Sequence, residues 1–152
     1  MRRLLVMVAL AGSSVHAAAA RVSPPGAERR SDSNARAYRV VAFAERQVGV
    51  RYRFGGISRR TGLDCSGLVY AAYRSIGRAI PHSTCGQMAI GMRVTFRDLR
   101  PGDLLFTEGG GHVVLAVSER AAVSAPRTGA RVSYVRLSSL RARFAGARRL
   151  LR

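Results

Sequence analysis

Gly62-Leu63-Asp64-Cys65-Ser66-Gly67-Leu68-Val69 sets the fold of this chain. Asp64 is a favoured helix N-cap, and Cys65, Leu68, Val69, Ala72 and Ile76 then fall on one helical stripe. Gly77 closes that helix, because glycine readily takes the left-handed conformation in which helices end. Cys65 therefore stands in a first turn, where free backbone N–H groups and the positive end of the helix dipole favour a thiolate. Such a placement lowers a thiol pKa and raises its reactivity. Two plainer readings stand beside it. Cys65 is a small core residue, or it is half of a disulfide with Cys85, the other cysteine of the chain.

Outward from this helix the pattern splits into two kinds. Upstream, Val40, Val41, Ala44 and Val48 recur at helical spacing, with Ser33 or Asn34 as cap and Gly49 as stop. A short extended piece follows at Arg51-Tyr52-Arg53-Phe54 and halts at Gly55-Gly56. Downstream of Pro81 the character turns to strand, with short runs over 92–96, 104–106, 112–117, 121–123 and 131–137. Turns holding Pro101-Gly102-Asp103, Gly109-Gly110-Gly111 and Thr128-Gly129 separate them. Helices first and strands after predict an α+β domain on an antiparallel sheet.

The ends of the chain and its composition bound the function. Arg2 and Arg3 precede a short apolar stretch over 4–11, and the small residues of 15–20 offer A-x-A-type cleavage points, so residues 1–20 read as a secretory signal peptide. No cysteine lies near that cleavage region, which excludes a lipoprotein anchor, and no later helix is apolar enough to cross a membrane. Residues 21–33 are polar, hold Pro24-Pro25-Gly26 and read as a flexible leader, leaving 34–152 as one domain. The 152 residues are 47% apolar, enough for one core, and carry a formal charge of +18. All 26 basic residues are arginine. The arginines are scattered, aromatic residues are 7%, and an export signal takes the chain away from nucleic acid, so no nucleic-acid partner is expected.

Beyond the signal only His82 and His112 remain. His112 opens the apolar run Val113-Val114-Leu115-Ala116-Val117 behind three glycines, a setting suited to a base that serves a thiol. A lone histidine at a strand end is also commonly structural. Two histidines and two cysteines without ligand spacing predict no metal, and no phosphate-cradling glycine motif occurs. No cofactor is expected.

Five blocks in order resemble the NlpC family of papain-like cell-wall peptidases. They are Tyr52-Arg53-Phe54-Gly55-Gly56, the opening stretch at 62–69, Leu99-Arg100-Pro101-Gly102-Asp103-Leu104-Leu105-Phe106, Gly111-His112-Val113, and Ala125-Pro126-Arg127-Thr128-Gly129. The resemblance implies a papain-like fold with N-terminal helices packed on an antiparallel β-sheet. It also implies a thiol endopeptidase acting on the stem peptides or cross-links of peptidoglycan in the periplasm or cell envelope, and a monomer is expected. By resemblance Cys65 is the nucleophile, His112 its general base, and Tyr52 an oxyanion donor. Asp64, Ser66 and Arg127 are the candidate substrate contacts; Arg127, in its Pro-Arg-Thr-Gly turn, either pairs with a stem-peptide carboxylate or is a solvated turn arginine, and His82 is read as a cleft-rim residue.

One position departs from the family pattern. Before Ala125-Pro126 the family usually carries histidine, asparagine or glutamine to orient the base, and here that place is Ser124. A serine hydroxyl is shorter and less dipolar than an amide. A catalytically weak or inactive wall-binding module of the same fold is therefore the alternative reading. The resemblance requires a free Cys65, which argues against a Cys65–Cys85 bridge.

Overall fold

The computed structural model describes residues 25–152. The expected signal peptide, and residues 21–24 of the expected leader, lie outside the described residues. The chain opens with helix α1 (Pro25–Glu45), nine residues earlier than the apolar spacing predicts. Residues 25–33 are thus helix, which corrects their reading as flexible leader. Proline suits a first helical position because its missing N–H would go unpaired there anyway. Residues 26–32 are exposed and carry no apolar period that a sequence reading could detect.

A two-strand hairpin, β1 (Ile57–Ser58) with β2 (Gly62–Leu63), leads into helix α2 (Cys65–Arg74). Asp64 caps α2, its side chain accepting from the Gly67 N–H, and Gly77 takes φ +76° just beyond the last turn. A helix absent from the sequence reading follows: α3 (Thr84–Met88), capped by Ser83. Five residues, of which only Met88 is large and apolar, give no readable period, which is why only strands were expected past Pro81.

The remaining strands are β3 (Met92–Arg93), β4 (Leu104–Thr107), β5 (His112–Ala116), β6 (Ala121–Ser124), β7 (Ser133–Arg136) and β8 (Phe144–Arg149). They form one antiparallel sheet in the order β3-β8-β4-β5-β6-β7. The strand expected over 92–96 shrinks to two residues before a helical turn at Phe96–Asp98. The strand expected over 131–137 starts at Ser133, with Arg131 only bridging Arg51. β8, of sequence Phe-Ala-Gly-Ala-Arg-Arg, shows no alternation and was not expected, yet it pairs on both edges.

Both faces of the sheet are covered. α1 and α2 bring Val40, Ala44, Leu68, Val69, Ala72 and Tyr73 against Leu104, Phe106, Val113, Leu115 and Val123. On the other face Leu105, Val114, Ala122 and Ala147 meet Leu99, Leu137 and Leu140. Two-faced burial explains why β4 and β5 read as continuous apolar runs instead of alternating ones. No helix among the described residues is long and apolar enough to cross a membrane.

The tightest backbone approach lies where α2 meets the loop before β1. A Cβ added at Gly67 would overlap the Gly56 carbonyl oxygen, whereas one at Gly26 meets nothing. Gly67→Ala is expected to lower unfolding free energy by about 2 kcal/mol or more through this overlap. Gly26→Ala, on the exposed start of α1, is expected to leave it unchanged or raise it by up to about 1 kcal/mol. Denaturant titration of the two variants checks the contrast, and equal effects would refute the steric account.

Candidate active site

Cys65 heads α2, where the backbone N–H groups of Val113, Ser66 and Cys65 itself act to favour its thiolate. His112 begins β5, paired opposite Thr107 of β4. Its Nε2 lies 3.0 Å from Oγ of Ser124, at the end of β6. Two adjacent strands therefore hold the imidazole and the hydroxyl, and helix packing brings the thiol to them. Tyr52, Cys65, His112, Ser124 and Arg127 all line one cavity of about 590 Å³. A separate cavity of about 640 Å³, between α1 and the chain's C-terminal residues, contains none of these five.

With Nε2 engaged by Ser124, Nδ1 is the ring nitrogen left for the thiol. The tautomer that fits has Nε2–H donating to Ser124 Oγ and a free lone pair at Nδ1. Burial pushes the His112 pKa down, with Glu108 opposing and Arg143 reinforcing that shift. Burial pushes the Cys65 thiol up, and the Asp64 carboxylate adds to this against the three backbone N–H groups. This corrects the expectation of a depressed thiol: desolvation and a neighbouring carboxylate outweigh the helix end. Both shifts favour the thiol and the neutral imidazole over the ion pair. Tyr52 is likewise raised, first by burial and then by Cys65 and Asp64, so its phenol stays a donor.

Asp64 and Ser66, expected as substrate contacts, fall elsewhere. Each is 7% exposed, and neither lines the cavity. Asp64 Oδ2 accepts from the Gly55 N–H at 2.7 Å, and Oδ1 accepts from the Gly67 N–H at 2.6 Å and Ser66 Oγ at 3.2 Å. His82, expected at the rim, turns Nε2 to Asp64 Oδ1 at 3.4 Å and packs its ring beside Tyr70. Both cysteines carry free thiols, with Cys85 exposed.

Three residues of the site region escaped the sequence reading. Gln87 is fully buried, and its amide donates to the carbonyls of Ser66 and Pro81, each at 2.9 Å, tying the loop before α3 to the first turn of α2. Its only sequence signal is membership of the Pro81–Gln87 loop. Glu108 and Arg143 line the cavity and pair across 2.9 Å. They lie far apart in sequence, so no local pattern joins them.

A thiol heading a helix, an imidazole heading the strand beside it and an antiparallel sheet beneath both define the papain-like class. The chain belongs to the NlpC/P60 family, whose model matches residues 49–149. It is similar to murein DD-endopeptidase MepH of Escherichia coli, 36% identical over 115 residues that are 69% of this chain and 42% of that protein. It is also similar to the probable endopeptidase NlpC of Escherichia coli, 38% identical over 70% of this chain and 66% of the relative. Among solved structures it resembles the peptidoglycan hydrolase RipB of Mycobacterium tuberculosis, with TM-score 0.73 and 28% identity over 86% of this chain and 73% of that one. An NlpC/P60 family protein of Bacillus cereus gives TM-score 0.71 and 30% identity, covering 76% of this chain and 40% of that one. The chain thus spans less than half the length of the MepH relative.

The two shifts have a measurable consequence. In a Cys85→Ser background, alkylation of Cys65 by iodoacetamide is expected to keep accelerating between about pH 7 and about pH 9, because a raised thiol pKa leaves thiolate scarce throughout that range. A plateau reached below about pH 7 would instead reveal a preformed thiolate–imidazolium pair.

Proposed function

We propose that this chain is a thiol-dependent peptidoglycan endopeptidase that hydrolyses an amide bond in stem peptides or cross-links. The observation that carries the reading is the bond between His112 Nε2 and Ser124 Oγ in the cavity that also exposes Cys65. In this reading the proton moves from Cys65 Sγ to His112 Nδ1 as sulfur attacks the amide carbonyl. The oxygen of the tetrahedral intermediate takes hydrogen bonds from the Tyr52 phenol and the N–H of Cys65. His112 then passes the proton to the departing amine, and a thioester remains. Water, deprotonated by His112, resolves the thioester and restores the thiol.

Ser124 acts here as the positioning residue, holding the tautomer and ring plane of His112 in place of the amide or imidazole usual in the family. It is 5% exposed, so the bond is shielded from competing water. Arg127, on the cavity wall, pairs with a carboxylate of the stem peptide. The protein works outside the cytoplasm, in the periplasm or envelope, as a monomer on peptidoglycan. Its surplus of arginine favours retention on an anionic wall.

Purified sacculi, incubated with the protein and resolved as muropeptides, test this. Release of new fragments is expected from the native chain and none from Cys65→Ser, while Ser124→Ala is expected to lower kcat about tenfold, as loss of an orienting partner commonly does. Equal fragment patterns from the native chain and Cys65→Ser would sink the hydrolase and leave a wall-binding module.

A further inference from the structure

The exposed opening turns of α1 carry Arg30 to the wall of the second cavity, the one of about 640 Å³. Three segments meet there. α1 brings Arg30 and Tyr38, the turn before β4 brings Arg100, and the residues after β8 bring Arg152. Gly102 marks the junction: a Cβ built on it would meet Ala37 of α1 at 3.4 Å and Leu151 at 3.9 Å. None of these residues lines the cavity that holds Cys65.

The side-chain charges around this cavity do not balance. Asp103 is 1% exposed, and its carboxylate accepts from Arg149 Nε and Nη2 at 2.9 and 2.7 Å, so those two charges cancel. The Arg100 N–H also donates to Asp103, at 2.8 Å, which fixes the turn from which the Arg100 side chain emerges. No ion pair among the described residues involves Arg30, Arg100 or Arg152, and the one other acidic side chain on the wall is Glu119. Guanidinium groups held around one cavity repel each other and favour an anion between them. Their planar forks match the oxygens of a phosphate. Beside these cations stand two large apolar side chains left in water, Tyr38 at 74% exposure and Met92 of β3 at 40%. A soluble polyanion gains little from either. A phospholipid layer uses both kinds of group, because its phosphates meet the arginines while an amphipathic ring and a flexible thioether enter the headgroup boundary.

We infer that this cavity docks the protein peripherally on an anionic phospholipid surface, with a lipid phosphate held among Arg30, Arg100 and Arg152 and with Tyr38 and Met92 pressed into the headgroup layer. The site is independent of the peptidase reading, since it shares no residue with the cavity of Cys65.

Co-sedimentation with vesicles tests it, comparing phosphatidylglycerol mixed into phosphatidylcholine with phosphatidylcholine alone, at about 0.15 M salt. A chain of formal charge +18 is drawn to any anionic surface, so a control removes three charges elsewhere, as Arg51→Gln, Arg60→Gln and Arg136→Gln, all exposed and outside both cavities. The cavity triple Arg30→Gln, Arg100→Gln, Arg152→Gln is expected to weaken binding to the phosphatidylglycerol vesicles about a hundredfold, and the control triple less than about threefold. Tyr38→Ser with Met92→Ser keeps every charge and is expected to weaken it about tenfold. All of these side chains are exposed, and unchanged thermal midpoints check that the variants are folded. Equal losses from the two triples would overturn the site and leave diffuse attraction by net charge. Equal binding to phosphatidylcholine alone would overturn the anionic headgroup. Calorimetric binding of glycerol phosphate by the native chain and not by the cavity triple, without any vesicle binding, would overturn the membrane in favour of a soluble phosphate ligand.

Discussion

A single buried carboxylate, that of Asp64, holds the end of the molecule that bears Cys65 in register. It takes the Gly55 N–H from the loop before β1, the Gly67 N–H and Ser66 hydroxyl from the first turn of α2, and the His82 ring from the loop before α3. Three separate segments thus converge on one side chain that is 7% exposed. Leaving such a group unpaired would be costly, so each segment is constrained to deliver its donor. The same charge lies next in sequence to the Cys65 thiol and resists its ionisation. The cap that fixes where the sulfur sits therefore opposes the helix end that would activate it. In the proposed reaction, activation falls to His112, which takes the proton during attack instead of holding it beforehand.

The far end of α2 is anchored by a second buried polar cluster. Tyr73 donates its phenol to the Gly102 carbonyl at 2.6 Å, and burial pushes the Tyr73 pKa up, so the proton is retained at every ordinary pH. Next to Gly102, Asp103 is 1% exposed and accepts from Arg149 Nε and Nη2 and from the Arg100 N–H. That cluster joins α2, the turn before β4 and the end of β8. With Asp64 at its head and Tyr73 at its tail, α2 has little freedom to slide along the sheet. Since His112 and Ser124 belong to neighbouring strands of that sheet, a helix fixed at both ends fixes the distance between thiol and imidazole.

What the sequence disclosed follows from how local each determinant is. The cap at Asp64, the apolar stripe of α2 and the stop at Gly77 depend on spacings of a few residues, and all three are present in the structure. β4 to β6 are mostly apolar, with polar residues only at their site ends, because both sheet faces are covered, and they too were legible. β8 was not, because Ala145, Gly146 and Arg149 carry no strand signature and its place between β3 and β4 is set by partners more than thirty residues away. The exposed turns of α1 and the five residues of α3 lacked any period to read. Within the site, the types and order of Cys65, His112 and Ser124 were visible, while their electrostatics were not. Burial is a property of the folded whole, and it reversed the expected direction for the thiol.

Charge illustrates the same division between composition and placement. Asp64, Asp98, Asp103 and Glu45 each accept a hydrogen bond from a side chain or backbone donor, so half of the eight acidic residues serve the fold. Several arginines do likewise: Arg131 donates to the Gly49 carbonyl, Arg148 to that of Met88 and Arg59 to that of Arg46. A guanidinium reaches such carbonyls with a planar fork of donors and keeps its charge when partly buried, which a lysine does less well. A composition rich in arginine is therefore partly an answer to backbone carbonyls left open at turns and helix ends. Net charge alone points to anionic partners in general, whereas Arg127, Arg143 and Glu108 stand at one defined place, the wall of the cavity that exposes Cys65.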